Sequence, residues 1–289
     1  MKRTLLTFGH GYSATALSLR LLDDGWHVIG TTRSPERAAA LEAIGVEPVL
    51  WPGTDMSDHI GRATHILQSV GPDASGDPVL AACGGQIAAR ADRIEWFGYL
   101  STTGVYGDHG GGWVDESTPL APTTQRGKWR LAAEEGWRKL SAQSGLPLHI
   151  FRIAGIYGPG RGPFNKVRDG SARLVIKPGQ YMSRIHVEDI ASVLAASLAR
   201  PDPGAAYNVC DDEPSPPEDV LAYAARLLGL PTPPTVDFET ADMTPMARSF
   251  YAESKRVRND RIVRDLGVRL AYPTYREGLA ALLASARED

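Results

Sequence analysis

KRTLLTFGHGYSATALSLRLL, residues Lys2 to Leu22, is the stretch that decides the fold. Thr4-Leu5-Leu6-Thr7-Phe8 is a short apolar run suited to a strand, and Gly9-His10-Gly11-Tyr12-Ser13-Ala14 follows at once. Leu17, Leu21 and Leu22 then recur at helical spacing. A strand, a glycine turn and a helix in that order make a dinucleotide fingerprint of the form G-x-G-x-x-A. Gly9 permits the tight turn, and Gly11 lets the backbone approach a pyrophosphate. Ala14, small in the place of a third glycine, lets the helix lie close to the strand. Tyr12 and Ser13 begin that helix, whose free N–H groups and dipole suit phosphate.

Working outward, the pattern repeats. His27 to Thr32 with Trp26 reads as a second strand, Val46 to Leu50 as a third and Thr64 to Val70 as a fourth. A helix over Pro78 to Ala91 and a fifth strand over Ile94 to Leu100 complete the alternation. Strands alternating with helices at this pitch predict an α/β, Rossmann-like, doubly wound parallel sheet. Beyond it come a long loop from Ser101 to Thr124, a helix from Gln125 to Ser144 and a strand from Leu148 to Ile153. A helix over Ile190 to Leu198, a strand over Ala206 to Val209 and a helix over Pro217 to Leu228 follow. A last helix is expected near Ser254 to Leu266.

A chain of 289 residues, 43% hydrophobic, buries a large core. Its net charge of −3 gives no footprint for nucleic acid or an anionic membrane. Cys83 and Cys210 lack metal-ligand spacing and suit a reducing compartment, so a cytoplasmic location is expected and no metal is. Lys2-Arg3 is not the head of a signal peptide, because Gly9, His10 and Gly11 interrupt the apolar run.

An NAD-binding strand usually ends in an acid that accepts from the ribose 2′-OH. Here Thr32, Arg33 and Ser34 stand at that end. A guanidinium pairs with a 2′-phosphate and hydroxyls add further contacts, so NADP(H) is expected in preference to NAD(H).

From Tyr99 onward five ordered motifs resemble the extended short-chain dehydrogenases/reductases of the epimerase/dehydratase group. They are Tyr99 to Gly107 (YLSTTGVYG), Asp115 to Pro122 (DESTPLAP), Phe151 to Gly160 (FRIAGIYGPG), Arg184 to Ala191 (RIHVEDIA) and Tyr207-Asn208-Val209. The resemblance implies that residues 1–160 bind the dinucleotide, with 185–210 returning to them. It also implies that 161–184 and 211–289 form a smaller, discontinuous substrate-binding portion. Ser69, Val70, Ser101 and Ile153 fall where the family approaches the cofactor. Tyr106, Asn165, Tyr181 and Arg184 fall where it approaches substrate.

The family carries Y-x-x-x-K on the helix after the long loop, its Tyr the general acid/base and its Lys a ligand of the nicotinamide ribose. Counting from Pro122 places Arg126 at the Tyr position and Arg130 at the Lys position. A guanidinium stays charged and has no accepting lone pair, so Arg126 cannot shuttle a proton. Arg130 retains the donors to reach the ribose, while Arg126 suits an anionic substrate group or a developing negative charge. Thr102 stands at the position of the family's catalytic Ser/Thr. Tyr106, His109, Glu116, Tyr181 and His186 are the groups available to replace the missing acid. Two functions follow: an NADP(H)-dependent oxidoreductase or epimerase-like enzyme on a small, anionic or sugar-like substrate, or a catalytically silent dinucleotide-binding sensor or scaffold. A homodimer is left open.

Overall fold

The computed structural model describes residues 3–285, so Lys2 of the opening stretch lies outside them. The first half alternates strand and helix: β1 (Thr4–Phe8), α1 (Tyr12–Asp23), β2 (His27–Thr32), α2 (Pro35–Ala43), β3 (Glu47–Leu50), α3 (Ser57–Arg62), β4 (His65–Gln68), α4 (Pro78–Ala88) and β5 (Trp96–Thr102). A two-residue strand β6 (Trp113–Val114) precedes α5 (Gln125–Ser144) and β7 (Leu148–Ile153). Then come β8 (Gly155–Tyr157), α6 (Phe164–Arg168), β9 (Leu174–Ile176), β10 (Arg184–His186), α7 (Val187–Ala199) and β11 (Ala206–Val209). The remainder is α8 (Pro217–Leu228), β12 (Thr235–Asp237), α9 (Pro245–Ser249), β13 (Arg256–Val257), α10 (Asp260–Arg264) and α11 (Tyr275–Ser285).

Seven parallel strands form the central sheet in the order β11-β7-β5-β4-β1-β2-β3. Alternate side chains of each strand enter opposite layers. Leu5, Val28 and Trp96 join α1 and α7 on one face. Leu6, Ile29 and Phe97 join α3, α4 and α5 on the other. The chain winds outward from β1 to β3 and then crosses to β4 on the opposite side of β1. That reversal opens a crevice at the carboxyl ends of β1 and β4, the place where open α/β sheets bind ligands.

Tyr157, Phe164, Val220, Ala224, Tyr275 and Leu279 build a separate small core from α6, α8 and α11. The expected helix over 254–266 is shorter than its sequence suggests. Residues Arg256–Val257 form β13 alongside β6, and only Asp260–Arg264 are helical. Ser254 is pinned from a distance, its N–H donating to Asp108 (2.7 Å) and its hydroxyl to the Gly179 carbonyl (2.7 Å), which holds this segment extended. Among the described residues no helix is long and apolar enough to cross a membrane.

Candidate active site

The β1–α1 turn is built to leave room. Gly9 has φ +75°, and a Cβ there would lie 2.8 Å from the Val70 side chain. Its N–H donates to Thr31 Oγ1 (2.8 Å) and its carbonyl accepts from Ser69 Oγ (2.7 Å). Gly11 caps α1 with no side-chain hydrogen bond, and a Cβ on it would meet nothing closer than 3.7 Å. The helix N-terminus therefore faces open space, as a pyrophosphate requires. Ala14 is fully buried beneath it. His10 points inward, 2.7 Å from the Thr7 hydroxyl, and burial brings it down to about 4, so it is a neutral packing group.

A cleft of about 730 Å³ runs from this turn across the carboxyl ends of the strands. Gly9, Gly11, Tyr12, Ser13, Ser69, Ser101, Thr102, Arg126, Arg130, Ile153 and Tyr181 all line it. Val70 stands behind Gly9. Thr32, Arg33 and Ser34 sit just outside, at the end of β2, where Arg33 is exposed. Arg37, which sequence reading missed, is exposed in the same turn. Glu36 is there too, accepting from Ser34 Oγ (2.5 Å), a bond that holds its carboxyl below the usual range.

Three expected substrate groups lie off the cleft. Tyr106 is wholly buried. Asn165 is exposed on α6. Arg184 lines a second cavity of about 210 Å³ that shares Gly155, Ile156, Met182 and Ser183 with the cleft, and its guanidinium is held by Ser215 Oγ (2.8 Å).

The helix that carries the R-x-x-x-R pair begins at its cap Thr124, whose hydroxyl accepts from the Gly127 N–H (3.2 Å). Arg130 is anchored on the Leu100 carbonyl (2.7 Å) and the Tyr99 hydroxyl (3.2 Å). Arg126 reaches across the cleft to Ser249 Oγ (2.8 Å) and lies 5.5 Å from the Phe250 ring centre. Thr102 Oγ1 accepts from the Gly104 N–H (3.2 Å), capping a short 3₁₀ turn.

Lys255, which is 7% exposed, completes this wall. Its ammonium donates to the Gly107 carbonyl (2.6 Å) and to Glu253 (2.8 Å). Burial pulls Glu253 upward, but donors from Lys255 and Thr123 outweigh it and hold the carboxyl below the usual range. Sequence reading missed both residues. Arg126, Arg130, Arg161 and Lys255 thus line the cleft with Glu253 as the single lining acid among the described residues, so the site carries excess positive charge.

Behind the cleft runs a buried polar chain. Ser101 donates to Glu134, which is fully buried and pairs with Arg152 Nη2 (2.9 Å). Arg152 also donates to the Tyr106 hydroxyl (2.9 Å), and that hydroxyl donates to Asn208 (2.7 Å). Burial pushes the Tyr106 phenol up to about 12, and its role here is to tie β5, β7 and β11 together. Glu116 accepts from the Asn208 N–H (2.8 Å). His186 caps α7 and packs between Tyr157 and Tyr272. His109 Nε2 lies 3.1 Å from the Tyr106 carbonyl. Of the five candidate proton donors Tyr106, His109, Glu116, Tyr181 and His186, Tyr181 alone lines the cleft; Arg256 stacks over its ring at 3.8 Å.

Comparison with known proteins agrees with this architecture. The chain matches the model of the NAD dependent epimerase/dehydratase family over residues 86–210. A solved structure described as a functionally unknown conserved protein from Silicibacter pomeroyi DSS is 64% identical, covers 99% of both chains and superposes with a TM-score of 0.93. Protein YeeZ of Escherichia coli (strain K12) is 32% identical over 81% of this chain and 86% of its own. The 3-diazoavenalumate denitrifying reductase of a Streptomyces species is 29% identical over 57% of this chain and 58% of its own. With the fingerprint turn, the crevice at the sheet's reversal and relatives aligned across most of its length, the chain belongs to the NAD dependent epimerase/dehydratase family, of the extended short-chain dehydrogenase/reductase type.

Proposed function

We propose that this protein is an NADP(H)-dependent reductase acting on a small anionic molecule, in the cytoplasm. The observation that carries the reading is Arg126, a permanent cation lining the cleft at the position of the family's proton-accepting Tyr. An epimerase or dehydratase oxidises an alcohol first and needs a base to take its proton. Arg126 cannot serve as that base. Reduction leaves negative charge on the oxygen of the carbon that receives hydride; the cations of the cleft stabilise that charge, and the proton that completes the alcohol comes from solvent water. When bound, the dinucleotide supplies hydride exchange at its nicotinamide ring.

The chain's own residues do the rest. Gly9 and Gly11 leave space for the pyrophosphate, Gly11 and Ser13 offer it their N–H groups, and Arg130 offers the nicotinamide ribose the Nη2 that its bonds to Tyr99 and Leu100 leave uncommitted. Thr102 orients the substrate oxygen. Residues 161–184 and 211–289 supply the substrate wall through Tyr181, Phe250 and Lys255. That wall extends beyond the cofactor positions, which favours an enzyme over a silent sensor. The relative named as a reductase supports the same direction.

Arg33, exposed at the end of β2, supports NADP(H) over NAD(H). A fluorescence titration should show NADPH binding about ten-fold or more tighter than NADH, the effect of one charge-assisted contact. Arg33→Ala should narrow the gap, with Arg37 retaining part of it. Equal affinities in the wild-type protein would sink the preference. Arg126→Tyr should leave NADPH affinity within about three-fold, below 1 kcal/mol. A larger loss would make Arg126 a cofactor ligand and not a substrate contact.

A further inference from the structure

Thr124, Arg126, Glu253 and Lys255 line the same cleft as the fingerprint turn. Lys255 is the unusual member of the four. An ammonium has three N–H donors. Two are taken, by the Gly107 carbonyl and by Glu253, and the third has no acceptor among the described residues. Lys255 is 7% exposed yet lines the cleft, so an acceptor that enters the cleft can meet that third N–H.

Glu253 cannot be that acceptor twice over. Its other oxygen already accepts from the Thr123 N–H (3.2 Å), the Thr123 hydroxyl (2.7 Å) and the Thr124 N–H (3.3 Å). Those three bonds lock the carboxylate to the start of α5, and it in turn fixes Lys255. Nearby in sequence on the same helix, Arg126 commits one N–H to Ser249 and keeps the rest of its fork.

We infer that Lys255 and Arg126 together form a subsite for a carboxylate of the substrate. A carboxylate offers two oxygens with about four lone-pair sites, enough to meet an ammonium and a guanidinium at once. Glu253 cancels one charge of the pair, so the subsite presents a net single positive charge to a single negative one. This inference rests on the reading of the cleft as a site for a small anionic substrate and names the group that the site takes.

Malonate serves as the probe, one of its two carboxylates in the subsite and the other toward solvent, titrated calorimetrically at constant ionic strength with chloride, with and without NADP+. Wild-type protein should bind malonate, and Lys255→Gln and Arg126→Gln should each weaken binding about ten-fold or more. Gln at 255 retains a donor for the Gly107 carbonyl. Arg126 is exposed on α5, so its variant keeps the fold if Lys255→Gln does not. Lys255→Arg should recover part of the affinity. No malonate binding by wild-type protein, equal binding by all variants, or equal binding of inorganic phosphate would overturn the carboxylate subsite. NADPH affinity, measured in parallel, separates the two readings: its absence with malonate binding intact would defeat the reductase and leave the subsite standing.

Discussion

Glu134→Gln is expected to destabilise the protein by about 3–5 kcal/mol, the usual cost of stripping one partner from a buried ion pair. Glu134 is fully buried and Arg152 nearly so, with side-chain exposures of 0% and 4%. Replacing the carboxylate leaves the guanidinium charged, because it does not lose its proton. Both donors from Arg152 to Glu134, at 2.9 and 3.3 Å, then meet a neutral amide. Ser101 loses its charged acceptor in the same change, and Ser101 lines the cofactor cleft. The variant should therefore bind NADPH more weakly as well as unfold at lower urea, with the slope of the transition unchanged. Neutralising the other side too, in Glu134→Gln with Arg152→Met, should recover part of the loss. A loss under about 1 kcal/mol in the single variant would remove the pair from the account of what aligns the cleft.

The second large effect is with pH. His10, His65, His149 and His186 are each buried, and desolvation brings each down from 6.5 to about 4. In the unfolded chain these rings take up protons below pH 6.5, whereas in the fold they stay neutral down to about 4. Stability is therefore full above pH 6.5 and falls as the pH drops through that window. Each ring accounts for about 3 kcal/mol by pH 4, and the four together for on the order of 10 kcal/mol. Asp211 acts in the opposite sense. Burial raises it to about 8, so its contribution is present at low pH and lost as the pH rises towards 8. Burial also raises Glu116, Asp189 and Glu218, whereas hydrogen bonds hold Glu47, Asp108 and Glu253 low and add to the loss in acid, so the four imidazoles decide the sign. Tm should fall steeply between pH 6.5 and 4.5, and a flat profile there would mean that these rings are hydrated or paired in solution.

Local signals were readable in the sequence. The β1–α1 turn is decided by residues within one short stretch, and its fingerprint sits where expected, between β1 and α1. The bounds of α5 and α8, Gln125–Ser144 and Pro217–Leu228, follow from nearby breakers: Gly145 and Gly229 end the two helices at φ +77° and +66°. Signals made by distant partners were not readable. Lys255 meets Gly107 across 148 positions, and Glu253 meets Thr123 across 130. Ser254-Lys255 therefore read as the start of a helix, with Glu253 just before it, instead of the wall of a site. Tyr106 shows the same limit from the other side. Its motif suggested a substrate contact, while its hydroxyl bonds to Asn208, 102 positions away, inside the sheet.

A crystal structure of the protein with NADP+ tests most directly whether a dinucleotide is held here beside cations in place of a proton-accepting Tyr. The expected result places the pyrophosphate over Gly9 and Gly11, the 2′-phosphate against Arg33, and the nicotinamide C4 facing the wall of Arg126 and Lys255. No phenol or imidazole should lie within about 3.5 Å of the substrate position at C4. A Tyr181 hydroxyl or His109 ring poised there would contradict it, and would supply the proton-transfer group that the proposed reductase does without.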